Sequence, residues 1–309
     1  TVEAAGASGA GAARLGYMAV ASGYVDAALV VGVEKFTDVT EMKARAAASQ
    51  TADYDYEAVH GITPTHQAAL LARRYLYEYN LPETALSVFG EISHKNAKGS
   101  PNAYPPEKLE PGATEFTEGI DRAYHELGMA PYLDGAAALL LTRADLLPPD
   151  FPHPLVRVSG SSVVIDSLAL HDRDDPLAFR AAGLSVERAL RRAGILPSQV
   201  DFFELCDAFS VYAPLSLEAA GFAAKGEAVA MAQSGDLALN GKLPIATLGG
   251  LYGKGNPLGA AGVYQLAEAV QQLRGEAGEN QVAGARCGLV QSLGGPASTA
   301  VSFVLERIT

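Results

Sequence analysis

Apolar residues along the chain form two kinds of run, and each kind predicts a different element. The segments "VDAALVVGVE" at 25–34 and "DGAAALLLTR" at 134–143 are short and almost continuously apolar, which is typical of strands buried on both faces of a covered sheet. Between residues 8 and 22 the pattern instead suits a buried, Ala-rich helix that ends at Gly23. The first part of the chain therefore predicts a helix followed by two buried strands that are far apart in sequence.

The segment between those strands has a different character. Residues 35–130 are polar and Tyr-rich, with prolines clustered between 101 and 111 and a helix expected around 63–79. We interpret residues 35–130 as an inserted loop domain.

After a Pro-rich joint at 148–154, strands and helices alternate to the end of the chain. The helix at 184–195 has Ser185 as its expected N-cap and Gly194 as its stop. The other expected elements are strands at 154–164, 200–205, 287–295 and 298–307 and helices at 211–222 and within 255–276. This alternation predicts the α/β class.

One pattern occurs twice. "GASGAGAARLGYMAVASG" begins at Gly6, and "GAAGVYQLAEAVQQLRGE" begins at Gly259. Each is a small-residue turn entering an apolar helix that precedes an apolar strand. Chance repetition of Gly and Ala is one explanation, but a duplicated α/β unit accounts for the order of elements better.

Charge and cysteine content exclude several classes of protein. A net charge of −12 argues against a nucleic-acid partner, which needs a basic face. No run approaches the ~20 apolar residues of a membrane span. The two cysteines, Cys206 and Cys287, have neither metal-ligand spacing nor the pattern of a secreted disulfide framework. We therefore expect a cytoplasmic protein with no membrane segment.

Ordered blocks along the whole chain resemble the thiolase superfamily, especially the sterol-carrier-protein-type and archaeal thiolases. The blocks are "VEAAGASG", "ALVVGVEKFTD", "SHKNA", "DGAAALLL", "VDFFELCDAFS", "GGLYGKGNPLGAAGVYQ" and "GGPASTAVSFVLE". The resemblance implies two similar βαβαβαββ halves in a five-layered arrangement, usually as a homodimer or larger oligomer.

The resemblance also implies domain limits. The N-terminal half would comprise 1–34 and 131–147, the loop domain 35–130, and the C-terminal half 155–309. The family has two strands and two helices before its nucleophile loop, so we expect those N-terminal strands to be absent from this chain. An edge left without them would be unpaired and apolar, and we do not expect these residues to be stable alone.

Three functional positions depart from the family pattern. The nucleophilic cysteine of the family is replaced by Gly6, the histidine of its "GHP" loop by Asn256, and the histidine or asparagine of its "HDAF" or "NEAF" loop by Cys206. A thiolase needs a low-pKa thiol, a base within hydrogen-bond reach and donors for an oxyanion. Ordinary thiolase turnover is therefore expected to be negligible, since losing members of a catalytic unit costs on the order of 10⁶ in rate.

Other residues remain candidates near this site. Cys206 is either a displaced nucleophile or, more commonly for such a residue, a structural cysteine, and Cys287 is expected to be structural. Asp207 or Glu204 could serve as a base if burial raises its pKa, although Asp207 also suits a capping role. Tyr252 could act as an acid or hold an oxyanion, or simply pack.

The remaining candidates concern the ligand. The backbone N–H groups of Gly294 and Gly295 could form an oxyanion hole, and the alternative is a simple hairpin turn. His94 and Lys95 are expected to lie near CoA phosphates or on a solvated face. His60 and His66 could enter the pocket from the loop domain.

Three functions are compatible with these residues. The first is a retro-aldol-type lyase that acts on acyl-CoA without a covalent cysteine step, as in family members that work with a zinc-ribbon/OB-fold partner of the DUF35 type. The second is an acetyl-CoA C-acyltransferase with a displaced nucleophile. The third is a non-catalytic acyl-CoA-binding subunit. In each case coenzyme A thioester is the ligand, and no metal or other cofactor is expected.

Overall fold

The computed structural model describes residues 1–103 and 128–308. The helices in these ranges are α1 Ser8–Ala21, α2 Glu41–Ala48, α3 Pro64–Glu78, α4 Ser87–Ala97, α5 Arg180–Ala193, α6 Tyr212–Ala219, α7 Ala228–Gln233, α8 Gly250–Lys254 and α9 Ala261–Arg274. The strands are β1 Ala27–Glu34, β2 Gly135–Thr142, β3 Val156–Ile165, β4 Phe202–Glu204, β5 Cys287–Gly294 and β6 Thr299–Arg307.

The strands form two separate sheets. β1 and β2 pair antiparallel, from Ala27 opposite Thr142 to Glu34 opposite Gly135. The second sheet has the order β3-β6-β5-β4, with β4 parallel to β5 and the other pairs antiparallel. Residues 35–130 lie between β1 and β2 in the chain, and their assignment as an inserted loop domain stays a prediction, with 104–127 outside the described residues.

Two central helices separate the sheets. α1 and α9 pack on each other, α1 contacts β1, and α9 contacts both β2 and β5. They approach closely because both are glycine-rich at the crossing: a Cβ on Gly9 would lie 2.7 Å from the carbonyl oxygen of Gly259. These are the two helices that follow the repeated turns, so the internal repeat of the sequence places equivalent elements side by side. α5 covers the opposite face of the four-stranded sheet.

The expectation that β1 is buried on both faces is wrong for the described part of the chain. Leu29, Val31 and Val33 are 69%, 54% and 65% exposed, and Leu140 of β2 is 68% exposed. The inner face of this sheet packs on α1 and α9, whereas nothing among the described residues packs on the outer face. A continuous apolar run shows that a strand can be buried on both sides, but not what covers it.

The expected start of α5 is also wrong. The helix begins at Arg180 rather than 184, and Ser185 lies inside it, where the Ser185 hydroxyl donates a hydrogen bond to the Ala182 carbonyl oxygen over 2.8 Å. The expected stop is confirmed, because Gly194 ends the helix with a φ of +69°. A serine is a reliable N-cap signal only where the preceding residues cannot continue the helix, and "RAAGL" continues it.

A buried amide ties α4 to the segment that precedes α8. The Asn280 side chain donates hydrogen bonds to the carbonyl oxygens of Asn96, in α4, and Thr247, each over 2.6 Å. The Asn96 side chain in turn donates to Ile245 and Ala246. This network fixes α4 against the loop that leads to α8.

The helices of residues 1–103 and 128–308 also bear on membrane crossing. None of the helices found there combines the length and the apolar character that a bilayer span requires.

Candidate active site

A cavity of about 540 Å³ opens where the starts of α1 and α9 meet the ends of β4 and β5. It brings together five of the residues singled out from the sequence: Gly6, Cys206, Asn256, Gly294 and Gly295. These residues are up to 289 positions apart in the chain, between Gly6 and Gly295, so the fold alone assembles them. Their catalytic roles remain predictions.

The backbone leaves no room for a side chain at Gly6. A Cβ built there would lie 2.7 Å from the carbonyl oxygen of Leu293, at the end of β5. The preceding Ala5 has a φ of +52°, so the turn into α1 is sharp and strained. The Glu3 carboxylate holds this turn, because it accepts hydrogen bonds from the Ala5 N–H and the Ser8 hydroxyl. The nucleophile position therefore lacks the space for a thiol as well as the thiol itself.

Asn256 lies in the cavity wall with a fixed orientation. Its side-chain oxygen accepts a hydrogen bond from the Leu258 N–H over 3.0 Å, while its backbone N–H donates to the Pro131 carbonyl oxygen over 2.7 Å. The first contact assigns the amide oxygen to the Leu258 side, so the NH₂ group is the half left for a ligand. Asn256 can thus donate to an oxygen atom but cannot accept a proton at neutral pH.

Cys206 follows β4 in the opposite wall and is buried. Burial raises the pKa of its thiol to about 12, although hydrogen bonds from the Ala208 and Leu293 backbones act in the other direction. A thiol with this pKa is protonated at neutral pH and is a poor nucleophile. The electrostatics favour the structural interpretation of Cys206.

Four of the predicted site residues lie outside the cavity lining. Tyr252, in α8, packs edge-on against His94 of α4, with ring centroids 4.8 Å apart. Burial raises the pKa of Tyr252 to about 12 and lowers the pKa of His94. Lys95 is exposed on α4. The Asp207 carboxylate points away from the cavity and caps α8.

Asp207 illustrates how a buried acid can be structural. Its carboxylate accepts hydrogen bonds from the Leu251 N–H over 2.7 Å and the Ser93 hydroxyl over 2.8 Å. Glu204 is used similarly, because it accepts from the Thr247 backbone N–H over 3.0 Å and from the Thr247 hydroxyl. Burial raises the pKa of both carboxyls more than these hydrogen bonds lower it.

The remaining histidine and cysteine candidates have other surroundings. His66 completes a capping box with Thr63 at the start of α3, and His60 is exposed. Cys287 is the buried first residue of β5, and burial raises the pKa of its thiol to about 12. Among the described residues that line the cavity there is no histidine.

Sequence reasoning missed two groups beside the site. Gln265 of α9 lines the cavity and joins three of its walls: its NH₂ group donates to the carbonyl oxygens of Leu205 and Gln291, and its carbonyl oxygen accepts from the Ser292 hydroxyl. The available signal was the row of polar residues at helical spacing, Gln265, Glu268 and Gln272, on the face of α9 that is buried.

The second missed group is a buried ion pair between Lys254 and Glu268. Burial lowers the pKa of the Lys254 ammonium to about 8, while the carboxylates of Glu204 and Asp207 oppose that shift. Lys254 precedes Asn256 by two residues, so the pair anchors the loop that carries the amide. A single lysine in "YGKGNP" gave no sign that it was buried.

Comparison with known proteins identifies this arrangement. The chain matches the family model "Thiolase, N-terminal domain" over residues 1–105 and the model "Thiolase C-terminal domain-like" over residues 162–307. It is 38% identical over 306 residues to an acetyl-CoA acetyltransferase of Methanothermobacter thermautotrophicus, covering 99% of this chain and 79% of that protein. The chain belongs to the thiolase family.

Two further relatives of this thiolase-family chain bear on its function. Sterol carrier protein 2 of Oryctolagus cuniculus is 36% identical over 172 residues, or 54% of this chain and 31% of that protein. Among solved structures, the Ltp2-ChsH2(DUF35) aldolase superposes with a TM-score of 0.81 at 25% identity, covering 98% of this chain and 78% of that chain. Both the resemblance and the thiolase fold expected from the sequence are confirmed.

Proposed function

We propose that this thiolase-family protein binds acyl-CoA and cleaves the C–C bond of a β-hydroxyacyl thioester by a retro-aldol reaction, without a covalent cysteine intermediate. The observation that carries the proposal is the closed backbone at Gly6, where a Cβ would lie 2.7 Å from the Leu293 carbonyl oxygen. A thioester cannot form at that position, yet the cavity beside it is retained. A retro-aldol reaction needs a base and a site for the enolate oxygen, and neither has to be a thiol.

We propose that the enolate oxygen is held by the Asn256 NH₂ group, which is oriented by the Leu258 hydrogen bond. The backbone N–H groups of Gly294 and Gly295, two residues that line the same cavity, are the second proposed set of donors. Donors fixed in advance stabilise developing negative charge without reorganisation, typically by about 3–4 kcal/mol each. The aldolase of the structural neighbour supports the reaction class.

A partner is part of the proposal. The superposed aldolase is named as an assembly of Ltp2 with ChsH2(DUF35), so we propose that this chain also works with a DUF35-type partner. We further propose a cytoplasmic homodimer or larger oligomer. Two buried free cysteines are compatible with a reducing compartment, and light scattering of the purified protein tests the oligomer.

The first test is calorimetric titration of the purified protein with CoA and acetyl-CoA. Micromolar binding supports a maintained acyl-CoA site, and β-hydroxyacyl-CoA substrates are then assayed by mass spectrometry for the released carbonyl compound and the shortened acyl-CoA. Cleavage should persist in Cys206→Ser. Absence of binding would overturn both this proposal and any acyltransferase activity.

An acetyl-CoA C-acyltransferase is the second candidate. It is favoured by the acetyl-CoA acetyltransferase relative and by the position of the Cys206 thiol in the cavity wall. Loss of acetyl transfer on alkylation of Cys206 would support it against the lyase. Acyl-CoA binding without turnover of either substrate class would leave the third candidate, a non-catalytic binding subunit.

A further inference from the structure

The proposed reaction needs a base, and few cavity-lining groups can supply one. The ionisable side chains among the described lining residues are Glu3, Glu34, Tyr132, Cys206 and Tyr212. A phenol is protonated at neutral pH. Burial raises the pKa of Tyr212 well above its ordinary value and that of the Cys206 thiol to about 12. Two carboxylates therefore remain, those of Glu3 and Glu34.

These two carboxylates differ in their hydrogen bonds. One oxygen of Glu3 accepts from both the Ala5 N–H, over 2.7 Å, and the Ser8 hydroxyl, over 3.2 Å, and the side chain is exposed. Glu3 thus maintains the shape of the turn. Glu34 is half-buried at the end of β1, and one of its oxygens accepts a single hydrogen bond from the Gly259 N–H over 3.2 Å. No hydrogen bond from a described residue reaches the second oxygen of either carboxylate, so Glu34 is set apart from Glu3 by its burial and by its place beside Asn256.

Glu34 lies beside the amide that would hold the enolate. The Asn256 side-chain oxygen binds the Leu258 N–H, and the Glu34 carboxylate binds the N–H of the next residue, Gly259. Two consecutive N–H groups of one turn therefore place the carboxylate and the amide next to each other in the wall of the same cavity. A Cβ on Gly259 would lie 3.1 Å from the Glu34 oxygen and 3.8 Å from the Ser8 Cβ, so the carboxylate sits between the starts of α1 and α9.

We propose that Glu34 is the general base of the reaction, and this rests on the proposed C–C chemistry of the site. The free oxygen of Glu34 takes the proton of the substrate β-hydroxyl group. The O–H electron pair forms the C=O bond of the leaving aldehyde or ketone, and the Cα–Cβ bond breaks. Its electron pair moves onto the thioester as an enolate, whose oxygen accepts from the Asn256 NH₂ group. The α-carbon then takes the proton back from Glu34, which releases the shortened acyl-CoA.

The experiment measures the last of these steps in reverse, which needs no knowledge of the full substrate. Acetyl-CoA and propionyl-CoA are incubated with the protein in D₂O, and exchange of their α-protons is followed by mass spectrometry. Glu34→Gln keeps an acceptor for the Gly259 N–H but cannot take a proton. We expect exchange to fall by about 10²- to 10⁴-fold in this variant, with acyl-CoA affinity changed less than about threefold. Glu34→Asp should recover part of the rate.

Two further variants make the test specific. Glu187→Gln removes an exposed carboxylate on α5, 3.2 Å from Arg191, and is the control for loss of charge. Glu3→Gln removes the rival carboxylate. Exchange that survives in Glu34→Gln overturns the assignment of Glu34 and leaves the proposed function standing. If exchange is at the same time lost in Glu3→Gln, the base is Glu3 instead. A protein that binds acyl-CoA but catalyses neither exchange nor cleavage overturns the proposed function and the base together.

Discussion

Replacing Gly6 by alanine or cysteine tests whether the nucleophile position is closed. The added Cβ would lie 2.7 Å from the Leu293 carbonyl oxygen, 0.7 Å inside the 3.4 Å at which ordinary contact begins. Leu293 lies in β5 opposite Ala300 of β6, so moving its backbone away from the added Cβ would disturb the sheet. Overpacking of this kind costs about 1–3 kcal/mol in free energy of unfolding.

The stability assay is urea unfolding followed by circular dichroism. With a slope of about 2 kcal/mol per molar urea, the midpoint of Gly6→Ala should fall by roughly 0.5–1.5 M. Gly11→Ala, in the first turns of α1, is the matched control. Its Cβ would lie 3.2 Å from a methyl group of Val2, which can move, so we expect no loss and a gain of up to about 1 kcal/mol from helix propensity.

The chemical assay uses Gly6→Cys. A thiol at this position would be misplaced, and no described lining residue is a histidine that could activate it. We therefore expect neither a stable acetyl-enzyme by intact mass nor thiolysis of acetoacetyl-CoA. An unchanged unfolding midpoint in Gly6→Ala, or thiolase turnover in Gly6→Cys, would refute the reasoning from the backbone and return the site to ordinary acyl-transfer chemistry.

Three further predictions concern single side chains. In native protein Cys206 should react with iodoacetamide about 10³-fold more slowly at pH 7.5 than in urea-unfolded protein, because only the thiolate reacts and burial raises the pKa of the thiol to about 12. The rate should rise about tenfold per pH unit, and rapid labelling of the native protein, followed by mass spectrometry, would contradict this. Asn256→Asp keeps the acceptor for the Leu258 N–H but removes the NH₂ donor, so α-proton exchange should fall by about 10²- to 10³-fold, and equal exchange rates would remove Asn256 from the enolate site. Because Asn256 is buried, the new carboxyl should also lower the unfolding midpoint, so exchange is measured where the variant is still folded. Asn280→Ala leaves the buried carbonyl oxygens of Asn96 and Thr247 without their donor, which should lower the free energy of unfolding by about 1–3 kcal/mol and expose α4 to limited proteolysis. A variant that resists protease as well as the wild type does would show that α4 is held by other contacts.

The sequence predicted the elements well where their hydrophobic period is simple. The helix expected at 63–79 is α3, with Thr63 as its cap, and the two final strands pair as expected. It also named five residues that line the cavity, because loops at strand ends and helix starts converge in this fold. The resemblance supplied their positions, since residues so far apart in the chain give no local sign of contact.

What the sequence could not give was the direction in which side chains point. Asp207 and Cys206 are adjacent, yet Cys206 lines the cavity and Asp207 caps α8. Tyr252 was expected at the pocket because it is close to Asn256, but it packs on His94. Glu34 read only as the end of a strand. Its importance depends on the Gly259 N–H, which is 225 positions away.

The outer face of the β1–β2 sheet has a colloidal consequence. Leu29, Val31, Val33 and Leu140 present a flat apolar surface to solvent. At neutral pH the net charge of −12 per chain makes assembled particles of the protein repel one another at long range. That repulsion is screened by salt and disappears as carboxylates are protonated toward the isoelectric point, whereas the attraction between apolar faces does not. The protein should therefore stay dispersed in dilute neutral buffer and coalesce through this face when salt is added or the pH is lowered.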